Sequence, residues 1–552
     1  MAATSLLAAL RAVATHCHLA AWSFTDEQAA GGLAVVDGLR DLFLPPPAAV
    51  ASAVPQPHLL QWLQLLPTEL LSVVLSHLDT HDLARLAATC RPLWCDAPTP
   101  PPRPMPLLRP MGPVETELRR RATARGLRIG SFGLPKGALS WVPYLLKRVL
   151  RDAMRREAPV AVGHGFSLFV DSERRLLTCG TENSGEGELV LGHDWGGNIY
   201  SYSGMPRVIS PPTLVLSMQD RRIVSVAASD CHCLALSSEG EVYSWGDGDF
   251  GSLGHGDEGG MAVPSRIELR SRIESIAAGP LRMSAAVGED GKLFTWGQAI
   301  NPNDETMPSG LGYAQTGSQL TAKWVETLSE DRVVGVALGY AFTLVVTDGG
   351  AVFSFGDGQD GVLLGHGSLV AEVLPRRIEA LTQTGRRFVA VVAGEGHALA
   401  LTEEGELYGW GCEDANGHGR DEPILHQVIS FVGQRVTHVG TGNYSSCAIT
   451  EKGELFTWGN GGRGQLGHGD GEQQDTPKRV EGLSRVKVAA AAICETHTLV
   501  ADEGGVVWAF GQRSALGLGS PDAATQGRVG HPAPVPTLRV RVLKSPDVLP
   551  FR

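Results

Sequence analysis

The stretch GELFTWG at residues 453–459 decides the fold of this chain, because related stretches recur along the last two-thirds of the sequence. Each copy ends in an aromatic residue followed by glycine, except for one copy in which cysteine replaces the aromatic. These pairs are Cys179-Gly180, Trp245-Gly246, Trp296-Gly297, Phe355-Gly356, Trp410-Gly411, Trp458-Gly459 and Phe510-Gly511. Their regular spacing indicates seven repeated units of similar length.

A second glycine-rich pattern follows the aromatic pair in several units. It is Leu-Gly-His-Gly at residues 253–256, 364–367 and 466–469, whereas the third unit retains only Leu311-Gly312. Glycine supplies the positive φ angles that tight turns require, so each unit is predicted to contain several short strands joined by turns. Seven such units predict a mainly β protein built as a seven-bladed β-propeller.

The repeat resembles the regulator-of-chromosome-condensation repeat, whose members form seven-bladed propellers. The resemblance covers about residues 160–540, and we assign residues 158–552 to this domain. The first unit departs from the pattern at Cys179, where an aromatic residue is usual. Because an open ring would expose two strand edges, we expect the run Pro534–Val542 to close the ring by pairing with the first unit.

Histidines recur at two equivalent positions of the repeat and suggest metal binding at first sight. They are His232, His397 and His497 at one position, and His255, His366 and His468 at the other. Equivalent positions of a propeller are dispersed around the ring, one to a blade. We therefore predict structural roles in turns and packing for these histidines, and we assign no metal or cofactor.

The segment 59–97 carries a leucine-rich helical pattern that begins at Leu66-Pro67 and ends at Trp94. Its apolar face is too large for so short a unit to bury alone, so a partner is expected. The order of these residues resembles an F-box, which implies binding to the Skp adaptor of cullin ubiquitin ligases. The residues that this resemblance assigns to adaptor binding are Leu66, Pro67, Leu70, Leu71, Val74, Leu75, Leu83, Leu86 and Trp94.

Three further segments differ in composition from these two modules. Residues 1–58 are alanine-rich, and their start is interpreted as a short packing helix or, alternatively, a transit peptide. Residues 98–113 are proline-rich and predict an extended linker, or a ligand for an SH3-type groove. Residues 114–157 form a basic helical connector, which either packs on the propeller or contacts an anionic surface.

Composition argues against several classes of function. The formal net charge of −12 disfavours a general nucleic-acid-binding surface, because phosphate binding depends on Lys and Arg. The 9 cysteines show no paired zinc spacing and suit a reducing compartment, so we expect a cytoplasmic or nuclear protein. No apolar run reaches the roughly 18 residues that a membrane span needs, and no nucleotide-binding or hydrolase motif is present.

These patterns lead to two hypotheses about function. In the first, the chain is a non-catalytic substrate receptor of a cullin-type (SCF) ubiquitin ligase, with an adaptor on the F-box and a target protein on the propeller. In the alternative, it is a guanine-nucleotide exchange factor or scaffold for a Ran-type GTPase. Ultraviolet-B sensing, a third role of such propellers, is set aside because the repeated Gly-Trp-Arg-His-Thr motif is absent. Trp195, Tyr200 and Tyr202 are candidate target anchors, with blade packing as the alternative.

Overall fold

The computed structural model describes residues 158–542, except 182–189, 194–207, 281, 299–309, 315–317, 358–361, 369, 413–414, 420–421, 517, 519–527 and 541. The alanine-rich segment, the F-box-like module with all its assigned adaptor-binding residues, the proline-rich linker and nearly all of the basic connector lie outside the described residues. The candidate anchors Trp195, Tyr200 and Tyr202 also lie outside them.

Seven four-stranded antiparallel sheets form the blades of a propeller, so the fold predicted from the repeat is confirmed. In every blade the order of strands across the sheet follows their order in the chain. Blades 1 to 4 consist of β1 (Val160–Gly163), β2 (Phe166–Val170), β3 (Leu176–Thr181) and β4 (Val208–Leu214); β5 (Ile223–Ala228), β6 (His232–Ser237), β7 (Val242–Gly246) and β8 (Met261–Arg266); β9 (Ile273–Ala278), β10 (Met283–Gly288), β11 (Leu293–Gly297) and β12 (Gln319–Trp324); and β13 (Val333–Leu338), β14 (Phe342–Thr347), β15 (Val352–Gly356) and β16 (Glu372–Arg377). Blades 5 to 7 consist of β17 (Phe388–Ala393), β18 (His397–Thr402), β19 (Leu407–Gly411) and β20 (Glu422–Gln427); β21 (Val436–Thr441), β22 (Ser445–Thr450), β23 (Leu455–Gly459) and β24 (Gln474–Arg479); and β25 (Val488–Ile493), β26 (His497–Asp502), β27 (Val506–Gln512) and β28 (Arg528–Arg539).

Short helices occupy the connections on both sides of the fourth strands. They are one α-helix, α1 (Glu379–Gln383), and the 3-10 turns Leu216–Met218, Asp249–Gly251, Glu326–Leu328, Val362–Leu364, Ile429–Phe431, Glu481–Leu483 and Arg513–Ala515. The first strands of successive blades contact one another in order, and β25 contacts β1, so the ring is closed around a central channel. No helix in the described part of the chain is long and apolar enough to cross a membrane.

The aromatic-glycine pair, replaced by Cys179-Gly180 in blade 1, lies at the end of the third strand or one residue before it, where both residues are required by packing. The four indoles that belong to this pair are fully buried: Trp245, Trp296, Trp410 and Trp458. The following glycine has positive φ, and at Gly459 an added Cβ would lie only 2.3 Å from the carbonyl oxygen of Tyr444. A side chain there would therefore displace the adjacent hairpin, which explains the invariant glycine of the repeat.

The expectation that the C-terminal segment closes the ring by pairing with the first unit is wrong. Strand β28 instead pairs with β27 and completes blade 7. The backbone of the C-terminal segment meets blade 1 at an isolated bridge between Asp171 and Val540 and at a 3.1 Å bond from Ser172 N to Arg539 O. Its buried side chains belong to the same hydrophobic cluster as those of the first blade. Blade 1 already has four strands of its own, so its sheet needs no strand from the C-terminus.

Candidate binding site at the mouth of the central channel

Buried histidines in the second strands join neighbouring blades by hydrogen bonds to a serine in the next blade. The His232 Nε2 atom lies 2.8 Å from Ser284 Oγ, His397 Nε2 lies 2.7 Å from Ser446 Oγ, and His497 Nε2 lies 2.7 Å from Ser167 Oγ. The last of these bonds spans the boundary between blades 7 and 1. Because the serines also donate to carbonyl groups, the Nε2 atom carries the proton and donates to the serine.

The second set of histidines belongs to the Leu-Gly-His-Gly turns and binds within its own blade. The hydroxyl groups of Ser244, Ser354 and Thr457 lie 3.0, 2.9 and 3.1 Å from the Nε2 atoms of the histidines that follow in each blade. Burial lowers the pKa of those histidines, His255, His366 and His468. Both sets are therefore tied to hydroxyl groups in separate blades, and no group of three metal-ligating side chains occurs among the described residues.

The loops that follow the first strands of the seven blades meet around one end of the central channel. A small cavity of about 80 Å³ lies there, and every blade contributes to its lining. Its walls are mostly small or apolar: Val162, Ala228, Ala278, Leu338, Ala393, Thr441 and Ile493. Polar side chains line it as well, from Asp230 in blade 2, Glu395 in blade 5 and Asn443 in blade 6.

A chain of hydrogen bonds links these polar side chains across the opening. Asn443 Nδ2 donates to Glu395 Oε2 at 3.1 Å, and the Glu395 amide donates to the Asn443 carbonyl at 2.9 Å. The Asn443 side chain also bonds to Asp230, and the Tyr444 hydroxyl bonds to Glu395. Blades 2, 5 and 6 are therefore connected over the channel. We call Asp230, Glu395, Asn443 and Glu495 the carboxylate mouth.

The carboxylates of the mouth repel one another in a partly buried place. Burial raises the pKa of Asp230, the nearby charges of Glu495 and Glu395 raise it further, and His164 and Asn443 oppose the change. Glu495 at the rim pairs with Arg463, whose Nη2 lies 2.9 Å from the carboxylate. This concentration of negative charge over a cavity is suited to binding a cationic group.

The described residues that line the mouth include one thiol, which is poorly suited to act as a nucleophile. The nearest thiol, Cys494, is fully buried, and burial raises its pKa to about 11, so it is a neutral thiol at pH 7. On the opposite face, the hairpins after the second strands carry acids that pair with the arginine directly before the first strand of the same blade. Arg272 lies 3.3 Å from Glu289, and Arg387 lies 3.3 Å from Glu403.

The carboxylate mouth was not predicted from the sequence, although a repeated signal marks it. Three units contain an acid two positions before the buried histidine, in Asp230-Cys231-His232, Glu395-Gly396-His397 and Glu495-Thr496-His497. The histidine begins the second strand and bonds to the next blade, while the acid remains in the loop at the mouth. The pattern acid-x-His thus identifies a loop position that faces the channel.

Comparison with protein families identifies both modules. The chain matches the regulator of chromosome condensation (RCC1) repeat at residues 239–280, 349–401 and 452–501. A second description of the same repeat matches residues 223–252, 388–420 and 436–465. Residues 63–95 match an F-box-like domain, inside the segment for which that resemblance was expected.

Two curated relatives share the repeat region. The human E3 ubiquitin-protein ligase HERC2 is 36% identical over 301 residues, which are 53% of this chain but only 6% of that protein. The ultraviolet-B receptor UVR8 of Arabidopsis thaliana is 34% identical over 319 residues, which are 56% of this chain and 70% of that protein. The chain therefore spans a small fraction of the ligase and most of the photoreceptor.

The fold is also present in solved structures. The crystal structure of Prp20p from Saccharomyces cerevisiae, described with its binding to Gsp1p and histones, matches with a TM-score of 0.54 and 22% identity. The match covers 66% of this chain and 87% of Prp20p. Identity at this level supports a shared fold and no shared activity.

Proposed function

We propose that this chain, which belongs to the RCC1-repeat family and is an F-box protein with an RCC1-type propeller, is a substrate receptor of a cullin-type (SCF) ubiquitin ligase. The observation that carries the proposal is the F-box-like match at residues 63–95, placed before the propeller. In this proposal the F-box-like segment binds the Skp adaptor, and the propeller holds the protein to be modified.

A receptor with these two binding modules needs no catalytic residue of its own. A receptor accelerates transfer by raising the effective concentration of the target near the transferring enzyme. The propeller supplies a rigid platform, since the described loops at the carboxylate mouth are held by hydrogen bonds between blades. The relationship to HERC2 supports a connection with ubiquitin transfer, although the matched part is 6% of that ligase.

Adaptor capture by the full chain tests the proposal. Replacing Leu70 and Leu71 by Asp places charges on the apolar face assigned to the adaptor, and burying an unpaired charge costs several kcal/mol. We expect capture of the Skp adaptor to fall by at least about tenfold, which corresponds to roughly 1.4 kcal/mol. Failure of the wild-type chain to capture the adaptor contradicts the proposal.

A matched control uses the same substitutions on the propeller. Leu216 is 67% exposed and Ile429 is 76% exposed, so Leu216→Asp with Ile429→Asp adds two charges without burying them. This control is expected to keep adaptor capture unchanged. Equal loss in both variants would show that capture responds to net charge rather than to the F-box-like face.

The alternative is nucleotide exchange on a Ran-type GTPase, and the yeast relative of known structure that binds Gsp1p is the reason to test it. Release of labelled nucleotide from such a GTPase is measured with the full chain at catalytic concentrations. Strong acceleration would favour the alternative, whereas no acceleration together with adaptor capture favours the receptor.

We also propose a cytoplasmic or nuclear location for the receptor. The cysteines in the described part of the chain form no disulfide, and most of them are buried. Free buried thiols are typical of proteins in a reducing compartment. Imaging of the tagged full chain tests this location, and import into mitochondria would contradict it and support the transit-peptide interpretation of the first residues.

A further inference from the structure

The acids of the carboxylate mouth lie in a place that is unfavourable for the folded state. Asp230 and Glu395 come from different blades and line the same cavity, and the charges of Glu395 and Glu495 add to the effect of burial in raising the pKa of Asp230. Carboxylates gathered in a partly buried site destabilise the folded state unless an opposite charge joins them. A cationic ligand would remove this repulsion, and the site would then contribute to binding rather than only weaken the fold.

A second feature of the mouth also calls for a hydrogen-bond donor. His397 is fully buried, and its Nε2–H donates to Ser446 Oγ, because that hydroxyl donates its own proton to the Ala415 carbonyl. The other ring nitrogen, Nδ1, is therefore an acceptor, and no protein atom bonds to it among the described residues. Buried acceptors without a donor are rare in folded proteins.

The two equivalent histidines show what is missing beside His397. Ser229 Oγ lies 2.8 Å from His232 Nδ1, and Thr496 Oγ1 lies 3.0 Å from His497 Nδ1. Beside His397 the corresponding positions are Gly394 and Gly396, which carry no hydroxyl. A Cβ built on Gly394 would lie 2.7 Å from Nδ1, so this nitrogen faces the Gly394 wall of the cavity.

The shape of the cavity selects among cations. Its volume of about 80 Å³ exceeds the roughly 30 Å³ of one water molecule, which leaves room for an ammonium or guanidinium head. The rest of the wall is mostly apolar, at Ala228, Leu338 and Ala393 among others. A lysine or arginine side chain combines a charged head with an apolar stem, and both parts find matching surroundings here.

We propose that the carboxylate mouth binds a lysine or arginine side chain that the target protein presents in an extended basic segment. The head group lies among Asp230, Glu395 and Glu495, and its stem contacts the apolar wall of the channel. The proposal rests on the proposed function in one respect, because the protein that presents the side chain is taken to be the target of the ligase.

Peptide binding to the full chain tests this inference. Three fluorescent peptides are compared by anisotropy: one alternating Lys with Gly, one with Arg in place of Lys, and one with Gln. We expect the Lys or the Arg peptide to bind at least about tenfold more tightly than the Gln peptide, with affinity falling as salt rises. Whichever of the two binds more tightly identifies the preferred head group.

Isosteric variants separate the mouth from the general acidity of the chain. Asp230→Asn with Glu395→Gln is expected to weaken binding of the basic peptide by at least about tenfold. The matched control, Glu289→Gln with Glu403→Gln, removes the same charge from the opposite face and is expected to change affinity by less than about twofold. Equal losses in the two variants would overturn the proposal, as would equal binding of the Gln peptide.

A third variant covers the case in which the double mouth variant fails to fold. Glu495 lies at the rim with a side chain that is 39% exposed, so Glu495→Arg alters the charge there without disturbing the core. It is expected to weaken the basic peptide several-fold, and unchanged affinity contradicts the proposal. If the wild-type chain captures the adaptor but does not bind the basic peptides, this inference alone is overturned. If it binds the basic peptides but does not capture the adaptor, only the proposed function is overturned.

Discussion

The seam between blades 2 and 3, inside the repeat, and the seam between blades 7 and 1, where the ring closes, are built from the same contacts. At the internal seam His232 bonds to Ser284, which donates to the Ser252 carbonyl at 2.9 Å. At the closing seam His497 bonds to Ser167, which donates to the Ala515 carbonyl at 2.7 Å. The ring therefore closes through the same side-chain bonds as an internal seam, with a backbone bond from Ser172 N to Arg539 O added, and no strand of one end joins the sheet of the other.

The two seams differ in the residue that shares the carbonyl. At the internal seam the Trp296 indole donates to the Ser252 carbonyl at 2.9 Å. At the closing seam Cys179 occupies that position, and its sulfur lies 3.6 Å from the Ala515 oxygen. Cys179 is fully buried in a cluster that includes Leu516 and Val535. The exception to the aromatic repeat thus reflects a seam whose space is filled by residues near the C-terminus.

The largest expected effect comes from removing strand β28, since this breaks the closing seam. A chain that ends at residue 527 loses the buried side chains of Val535, Leu538 and Val540, each worth about 2 kcal/mol of burial. The total is comparable with the whole stability of a typical domain, so we expect little soluble protein and no cooperative thermal unfolding. A chain that ends at residue 542 is the control and is expected to unfold like the wild type.

A reciprocal exchange at the two seams tests whether each has its own packing. Trp296→Cys leaves a large cavity and an internal carbonyl with one donor fewer, at an expected cost of about 3–5 kcal/mol. Cys179→Trp forces an indole into a filled cluster, with an expected cost of about 1–3 kcal/mol. Denaturant unfolding measures both losses. A stabilising effect of Cys179→Trp would show that the closing seam has room for the usual aromatic.

Removing the histidine of each seam measures whether the two seams are equivalent. His232→Ala and His497→Ala each delete a buried donor and leave a serine hydroxyl without it, which costs about 1–3 kcal/mol. We expect the two losses in unfolding free energy to agree within about 1 kcal/mol, because the distances and burial match. A much larger loss for His497→Ala would mean that the closing seam carries more of the stability.

The smallest effect is a change in how stability depends on pH. Burial lowers the pKa of His232 to about 4 and that of His497 to about 3, below the usual 6.5. The unfolded chain therefore binds protons first, so these groups leave stability unchanged above pH 6.5 and reduce it as the pH falls toward 4. Replacing one histidine by Gln is expected to flatten the dependence between pH 6 and pH 4 by about 1 kcal/mol per pH unit. If the variant's unfolding free energy depends on pH as the wild type's does, the lowered pKa of that histidine is contradicted.

Much of the propeller was predictable because the repeat encodes contacts that are local to one unit. The pair Trp458-Gly459 predicts a strand end and a tight approach of the next hairpin, and the structure has both. Even the weak third unit follows the pattern, since Thr295 donates to the Leu311 carbonyl at 2.7 Å. The strand that closes the ring was predicted wrongly, because an extended run specifies a strand but not its partner.

The candidate site was not predictable in the same way. Asp230 and Glu395 are 165 positions apart in the chain, and nothing local indicates that they approach each other. Their neighbours in the sequence, His232 and His397, were noticed and correctly separated into different blades. The acids two positions before these histidines lie close together, although the histidines themselves lie apart. The loops that carry the acids converge on the axis of the ring, whereas the second strands that carry the histidines diverge from it.

The sequence alone therefore determined the number of units, the residues that turn the chain and the aromatic side chains that fill the blades, all of which depend on short-range periodicity. Only the tertiary structure decided that β28 stays within its own blade and that carboxylates from blades 2, 5 and 7 meet over the channel. The physical reason is that closure of the ring brings equivalent positions of distant repeats close together. The charges and hydrogen bonds at these positions can interact only across the axis of the ring.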